Sequence, residues 1–385
     1  MISTLNSQNE ILLDNFVDKD IQMFLRPLNL LNYVTLSTKY SIKYNFITSN
    51  SYFTNFISLI ICMSFIIIYL SAIFLNDYIF KLDIVSLTLL MVNFFLYAFG
   101  YLLNTFLNVV NSDVHVYFII KIKNIKKFIT NDIDCKILTL TNWIYVFFSF
   151  ITHIVIVLIQ ILISRFELYY TFVVVILLIN DFNTIYIIRI IKLLRIVIDS
   201  WTLKLKEEKQ LNIEVINDET RQKRYWDVTR KTFSDIIEAS CIYKQLCQIQ
   251  ITYHIVIMFM QLLNNVQYMI TSTTFNVLIF ILLIWTIKNI ILLISISYEC
   301  EMLYISLKNT QVLFLKSIAD KKCTAKLACI FFTAFERLAY KSLRRESRYS
   351  PLVTCGILTV DASLPLRFLS VLTTYTALLL QIPFS

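Results

Sequence analysis

"YFTNFISLIICMSFIIIYLSAIFL", Tyr52 to Leu75, carries no charged residue. A run of more than roughly 18 apolar residues is long enough to cross a bilayer core as a helix. This stretch therefore reads as a membrane span, and its neighbours read the same way. Apolar residues make up 57% of the 385-residue chain, charged residues 16%, and mean hydropathy is +0.68. A soluble globular domain carries about 25% charged residues, so the composition describes a polytopic, all-α membrane protein.

Seven spans follow, at about Tyr52–Leu75, Asp83–Val110, Asn142–Ser164, Leu168–Ile188, Ile249–Ile270, Phe275–Ser297 and Ser363–Gln381. Seven crossings put the termini on opposite sides, and the basic residues set the orientation. The N-terminal segment holds four Lys or Arg, the 111–141 loop five, the 189–248 segment twelve and the 301–348 segment ten. The opposite side holds only Lys81 and Arg165. The N-terminus is thus expected in the cytoplasm and the C-terminus outside, inverted relative to a G-protein-coupled receptor. That class is further disfavoured because no Asp-Arg-Tyr follows span three and no Asn-Pro-x-x-Tyr lies in span seven. The first 45 residues lack a basic start followed by a short apolar core, so no signal peptide is expected.

Gly occurs twice and Pro four times. Transporters built from Gly- or Pro-interrupted helices in repeated halves look different, and no internal repeat is visible; long continuous helices are expected. Arg189–Gln210 continues span four with a helical apolar period, and Phe233–Gln248 leads into span five. Ala325–Arg345 is amphipathic, with Leu327, Phe331, Ala334, Phe335 and Leu338 along one side. Together these describe a cytoplasmic helical bundle; the competing reading is a helix lying on anionic lipid. None of the eight cysteines falls in an outer loop, so reduced thiols are expected. The scattered histidines His115, His153 and His254 imply no metal site. With no phosphate-binding Gly loop and no nucleophile beside a base, an enzyme is not expected, nor a cofactor.

Three sets of residues are candidates for function. Asp181 in span four and Lys288 in span six each lie about 13 positions from their span's outer start, roughly 20 Å down at 1.5 Å per residue. Charges at that depth face a bundle interior or water and pair, here with each other or with Asn180 and Asn289. The alternative is separate snorkelling to the inner interface. Gln160, Tyr169, Tyr170, Gln261, Asn264, Asn265 and Tyr268 gather in the outer halves of spans three to five. They suit an apolar pocket with a few placed polar groups, or else helix–helix hydrogen bonding and interfacial anchoring. In span seven, with Ser370 at zero, Thr374, Ala377 and Gln381 fall within about 40° of it at 100° per residue. Phe368, Leu372, Tyr375 and Leu379 lie opposite. That small polar stripe is either a packing seam or one wall of a pore.

The chain's last residues carry a resemblance. Thr374-Tyr375 is followed by five residues and then Gln381-Ile382. This resembles the end of span seven in insect gustatory receptors, Thr-Tyr, five mostly apolar residues, then Gln-Phe. The approach "TCGILTVDASLPLRFLSVLT", Thr354 to Thr373, is similar to the same family, and Leu364–Arg367 resembles lepidopteran members. Ile382 stands where the motif has Phe.

The resemblance implies a ligand-gated, nonselective cation channel in the plasma membrane, a homotetramer or a heteromer with related receptors. Its central pore is lined by span seven and passes Na, K and Ca ions; no nucleic acid partner is implied. Gln381 and Ile382 map to the gate, and Ser370, Thr374 and Ala377 to the wall. The ligand would be a small-molecule tastant. Sugar-sensing members are associated with an acidic residue after Thr-Tyr, and Thr376 is not acidic, which favours a bitter plant compound. Odorant-receptor channel subunits share the architecture, and a secondary transporter is the reading from another class. On this reading 1–51 is a cytoplasmic N-terminal segment, 52–188 holds spans one to four, and 189–248 is a cytoplasmic helical extension. Residues 249–297 hold spans five and six, 298–362 the anchor helices, and 363–385 the pore helix and extracellular C-terminus. Arg367, near the inner end of the stripe, is expected to point away from the pore.

Overall fold

The computed structural model describes residues 15–35, 37–74, 84–129, 135–163, 168–215, 219–271, 277–319, 352–354 and 358–381. The chain begins with α1 (Lys19–Val34) and a hairpin of β1 (Ser41–Lys43) and β2 (Phe46–Thr48). Then come α2 (Tyr52–Phe74), α3 (Ile84–Val110), α4 (Ser112–Lys127), α5 (Cys135–Ile163), α6 (Leu168–Val215), α7 (Glu219–Thr271) and α8 (Val277–Ala319). A second short hairpin, β3 (Leu352–Thr354) and β4 (Leu358–Val360), precedes α9 (Leu364–Gln381).

Among the described residues, six helices are long and apolar enough to cross a membrane: α2, α3, α5, α6, α7 and α8. α9, read from the sequence as a seventh span, has 18 residues, near the lower end of the length a crossing needs, and is not among the six. Burial sorts the six. Only 22% of the apolar window of α2 is buried, against 89% for α6. α2 turns Phe53, Phe56, Ile60 and Ile67 outward and packs through Cys62, Tyr69 and Ile73, so it is peripheral, whereas α6 is the central helix.

Helices α6, α7 and α8 have 48, 53 and 43 residues. At 1.5 Å per residue each is about 65–80 Å long, more than twice a hydrocarbon core of about 30 Å. The scarcity of Gly and Pro makes such lengths possible, since no interior residue removes a backbone donor. Arg189–Gln210 and Phe233–Gln248 therefore lie in the same helices as spans four and five, and α8 continues past Ser297 to Ala319. Where the long helices run together, Phe233 of α7 stacks on Phe314 of α8 with centroids 4.1 Å apart, and Trp201 of α6 packs on both. Thr202 bonds Thr310 at 2.6 Å, and Arg195 lies 3.3 Å from Glu299. Ala325–Arg345 lies outside the described residues.

Three elements were not legible as separate pieces in the sequence. α4 occupies the basic 111–141 loop and buries His115, Val116, Phe118, Ile119, Ile122 and Ile125, spaced by one to three residues along a single helical face. Its Lys121 reaches Asp235 and Glu238 of α7 at 2.8 and 2.7 Å. Burial opposes the charge of Lys121, but the two carboxylates outweigh it and raise the amine above its usual range. α1 buries Ile21, Phe24, Leu25, Leu28 and Leu31, and Asp20 on its first turn holds Lys126 of α4 at 2.7 Å. The β1–β2 hairpin turns through Tyr44 and Asn45, both with positive φ (52° and 69°), the two-residue turn whose twist matches antiparallel strands.

At Gly100, helix α3 lies close against Tyr253 of α7. A Cβ there would overlap the ring of Tyr253, whose hydroxyl donates to the carbonyl of Leu96. Cys62, Cys247 and Cys300 are buried thiols outside any disulfide.

Candidate functional site

The stretch Asn180-Asp181-Phe182-Asn183-Thr184 on α6 is buried throughout. A polar run in the central helix has to find partners on its neighbours, because an unpaired polar group in the apolar interior costs several kcal/mol, as an order of magnitude. Each residue looks in a different direction. Asn180 accepts from Asn104 of α3 at 2.9 Å. Asp181 accepts from Lys288 of α8, and its Oδ2 lies 3.3 Å from Nε2 of His153 on α5. Asn183 accepts from Lys39, in the segment before β1, at 2.9 Å, and Thr184 bonds back to the Asn180 carbonyl at 3.1 Å.

Around the ion pair the surroundings are aromatic. The Lys288 ammonium lies 4.4 Å from the Trp285 ring centroid, and His153 meets the same indole edge-on at 5.7 Å. Nδ1 of His153 is 2.8 Å from the Ser149 carbonyl, which fixes the ring so that Nε2 faces the carboxylate. At the next position after Lys288, Asn289 donates to Gln261 of α7 at 2.7 Å. Asp181, Lys288 and His153 thus form one centre shared by α5, α6 and α8, with the Asn289–Gln261 bond to α7 beside it, all within helices long and apolar enough to cross a membrane. A second buried lysine meets the same stretch of α6, two residues along from Asp181. Lys39 donates to Asn108 of α3 at 2.6 Å as well as to Asn183, and sits 4.9 Å from the Tyr186 ring. Burial draws its amine down to about 7, the Cys247 thiol acting weakly in the opposite sense.

The outer-half residues separate into two groups. Asn264 donates to Asn93 at 2.7 Å and Asn265 to Thr286 at 3.0 Å, so with Gln261 these three amides bridge helices. Gln160 lies on α5, Tyr169 and Tyr170 on α6 and Tyr268 on α7, with side chains outside the described residues. The structure also brings together buried tyrosines that no sequence pattern groups: Tyr69, Tyr97 and Tyr101 join Phe94 and Trp285 in one apolar cluster. Tyr69 and Phe94 lie 4.8 Å apart.

Helix α9 leans on α7 and α8 through one face. Phe368 is buried and meets Phe259 edge-on at 5.0 Å, while Leu372 and Tyr375 are half-buried. The Tyr375 hydroxyl points to Gln267 at 3.4 Å. Ser370, Thr374, Ala377 and Gln381 are all exposed on the other side, flanked by exposed Val371 and Leu378. The Thr374 hydroxyl donates to the Ser370 carbonyl at 3.0 Å. The Arg367 guanidinium is turned onto Asp361 at 2.6 Å and Thr359 at 3.1 Å. Ile382 lies outside the described residues. Among the described residues no group of three His, Cys, Asp or Glu is placed to hold a metal ion.

Of the site residues, the charged pair is legible from sequence because both members sit at equal depth in apolar spans. His153 and Lys39 are not: a lone histidine on an apolar helix and one lysine among many basic residues carry no signal of their partners. Comparison with protein-family models and with the curated proteins gives no match.

Proposed function

We propose that this chain is a subunit of a ligand-gated, nonselective cation channel of the insect gustatory-receptor type, opened by a small-molecule tastant, with a bitter plant compound favoured over a sugar. The observation that carries the reading is the two-faced α9. It packs against its own subunit through Phe368, Leu372 and Tyr375, and leaves Ser370, Thr374, Ala377 and Gln381 facing away. A helix that turns hydroxyl, small and amide groups away from its own bundle is suited to lining a water-filled path on a symmetry axis. The exposed Val371 and Leu378 beside the stripe would be covered by neighbouring subunits, as a homotetramer or heteromer requires.

On this reading the subunit lies in the plasma membrane with its N-terminus in the cytoplasm, and the extensions of α6, α7 and α8 form the anchor where subunits meet. Gating is a change in what the stripe presents: an apolar constriction blocks ions by dewetting, and polar groups rotated into its place let them pass. The stripe itself carries no charge, which fits weak discrimination among Na, K and Ca. Arg367, engaged with Asp361 and Thr359, leaves the path without a fixed positive charge from this residue. A ligand opens the channel only by binding the open state more tightly. In the outer half it would have to exchange existing amide bonds, such as Asn264 with Asn93, for bonds to itself.

Expression of the chain in a cell line, with calcium imaging and patch clamp against sugars and alkaloids, tests this directly. Ligand-evoked cation currents are expected. Surface delivery without current for any ligand or co-expressed relative would rule the channel out. Gln381→Ala is expected to change unitary conductance or basal opening, whereas Tyr375→Phe leaves conductance as it is. An unchanged Gln381→Ala channel would remove that residue from the gate.

A further inference from the structure

A groove of about 1030 Å³ opens between α1 and the β1–β2 hairpin. One wall is the outer face of α1, where Lys19, Met23, Arg26, Leu30 and Tyr33 recur every three or four residues, opposite the face that enters the core. The other wall is the hairpin, with Lys43 on β1. Lys19, Arg26 and Lys43 are exposed, no carboxylate belongs to the lining, and no described residue forms an ion pair with any of the three. Isolated surface lysines are ordinary; three cations around one concave space lined otherwise by apolar, hydroxyl and amide side chains are complementary to a ligand that is both anionic and amphiphilic.

The position of the groove identifies that ligand further. Ser51 and Thr54 complete its lining, and α2, the uncharged helix that crosses the membrane, starts at Tyr52. The mouth therefore opens within one helical turn of the bilayer surface. Tyr33, Tyr44, Tyr52 and Phe53 are 71–95% exposed around it, the placement of aromatic residues at a membrane interface. Lys19 and Arg26 are two turns apart on α1, about 10 Å along the axis, with Lys43 across from them. That spacing exceeds one phosphate and suits a headgroup bearing several.

We propose that this groove holds the headgroup of a polyanionic phospholipid, one carrying phosphomonoesters, drawn from the leaflet that α2 enters. The proposal needs α2 in the bilayer and is independent of the channel reading. On the topology proposed above the leaflet is cytoplasmic, where such lipids are found. The floor of the groove is fastened to the helical bundle: Asn50 donates to the Thr38 carbonyl at 2.7 Å, its backbone N–H meets Ser112 of α4 at 2.9 Å, and Ser112 bonds the Lys39 carbonyl. A bound headgroup is thus one residue away from the Lys39 contacts to α3 and α6.

The test uses the full chain in phosphatidylcholine nanodiscs, titrated with a fluorescent phosphatidylinositol bisphosphate. Saturable binding is expected. Each of Lys19→Gln, Arg26→Gln and Lys43→Gln should weaken it by about fivefold, and the triple variant by about a hundredfold, at the usual worth of a basic residue near an anionic membrane surface. A control triple, Lys231→Gln, Lys308→Gln and Lys316→Gln, removes the same charge from exposed positions elsewhere and should bind like the unmodified chain. Equal losses in the two triples would mean diffuse attraction and overturn the site; no loss in the groove triple would do the same. Soluble inositol trisphosphate and inorganic phosphate are run as competitors. If inorganic phosphate displaces the lipid at equal concentration, the groove is a phosphate site and the lipid assignment fails. Unfolding temperatures of both triples separate loss of binding from loss of fold.

Discussion

Gly100 and Lys39 show how single positions set the closeness of these helices. In an exposed helix Ala is favoured over Gly by about 1 kcal/mol, so Gly100→Ala would ordinarily stabilise α3. Here the new Cβ would overlap the Tyr253 ring, and the ring is tethered through its hydroxyl to Leu96. Overpacking of this kind costs about 1–3 kcal/mol. Gly100→Ala is therefore expected to lower the unfolding temperature in nanodiscs, and Gly100→Ala with Tyr253→Leu to recover part of the loss; a more stable single variant would show that α3 and α7 can separate freely. Lys39 acts through charge. Its amine is drawn from 10.5 to about 7 by burial. Between those values the unfolded chain holds a proton that the folded chain does not, so stability rises with pH across this window, by on the order of 1 kcal/mol per unit. Below about pH 7 both states are charged and the slope from this group vanishes. Lys39→Met should flatten the rise in unfolding temperature between pH 7 and pH 10; an unaltered slope would assign the titration to another group.

At the scale of elements, the long helices are the most legible part of the fold. Tyr52–Phe74 and Ile84–Val110 announce themselves by lacking charge over whole spans, and the apolar period of Arg189–Gln210 carries span four onward without a breaker. α1 and the first hairpin are not legible, because their polar and apolar residues alternate over short distances and their burial depends on contacts far away in sequence. Asn142, for example, donates to the Phe24 carbonyl and accepts from Arg189, and so joins α1, α5 and α6. α4 hides in a loop whose basic residues mask its apolar face. In the polar centre, the depth of Asp181 and Lys288 makes their meeting readable, while His153 and Asn104 become visible only when α3 and α5 are laid against α6. The pair gives a test at this scale. Asp181→Lys and Lys288→Asp should each abolish folding or surface delivery, since a lone buried charge costs about 3–5 kcal/mol, and the charge-swapped double variant should restore part of it. A double variant no better than either single one would mean that each charge depends on partners other than its opposite.

For the molecule as a whole, the distribution of basic residues predicts which side of the membrane each end occupies. An epitope tag at the N-terminus is expected to be stained only in permeabilised cells and one at the C-terminus in intact cells; the reverse pattern would invert the proposed topology. The orientation also decides which leaflet supplies the groove beside α1. α6 then relates the two sides mechanically. It is one hydrogen-bonded rod, gripped near Asp181 and Asn183 by α3, α5, α8 and the Lys39 segment. About 20 Å of it lies on the Leu168 side of that grip and about 50 Å on the Val215 side. A tilt about such a fulcrum is magnified: a displacement of 1 Å at the short end, as an order-of-magnitude estimate, becomes about 2.5 Å at the long end. The unequal arms would then make any tilt of α6 about the polar grip larger at its Val215 end than at its Leu168 end.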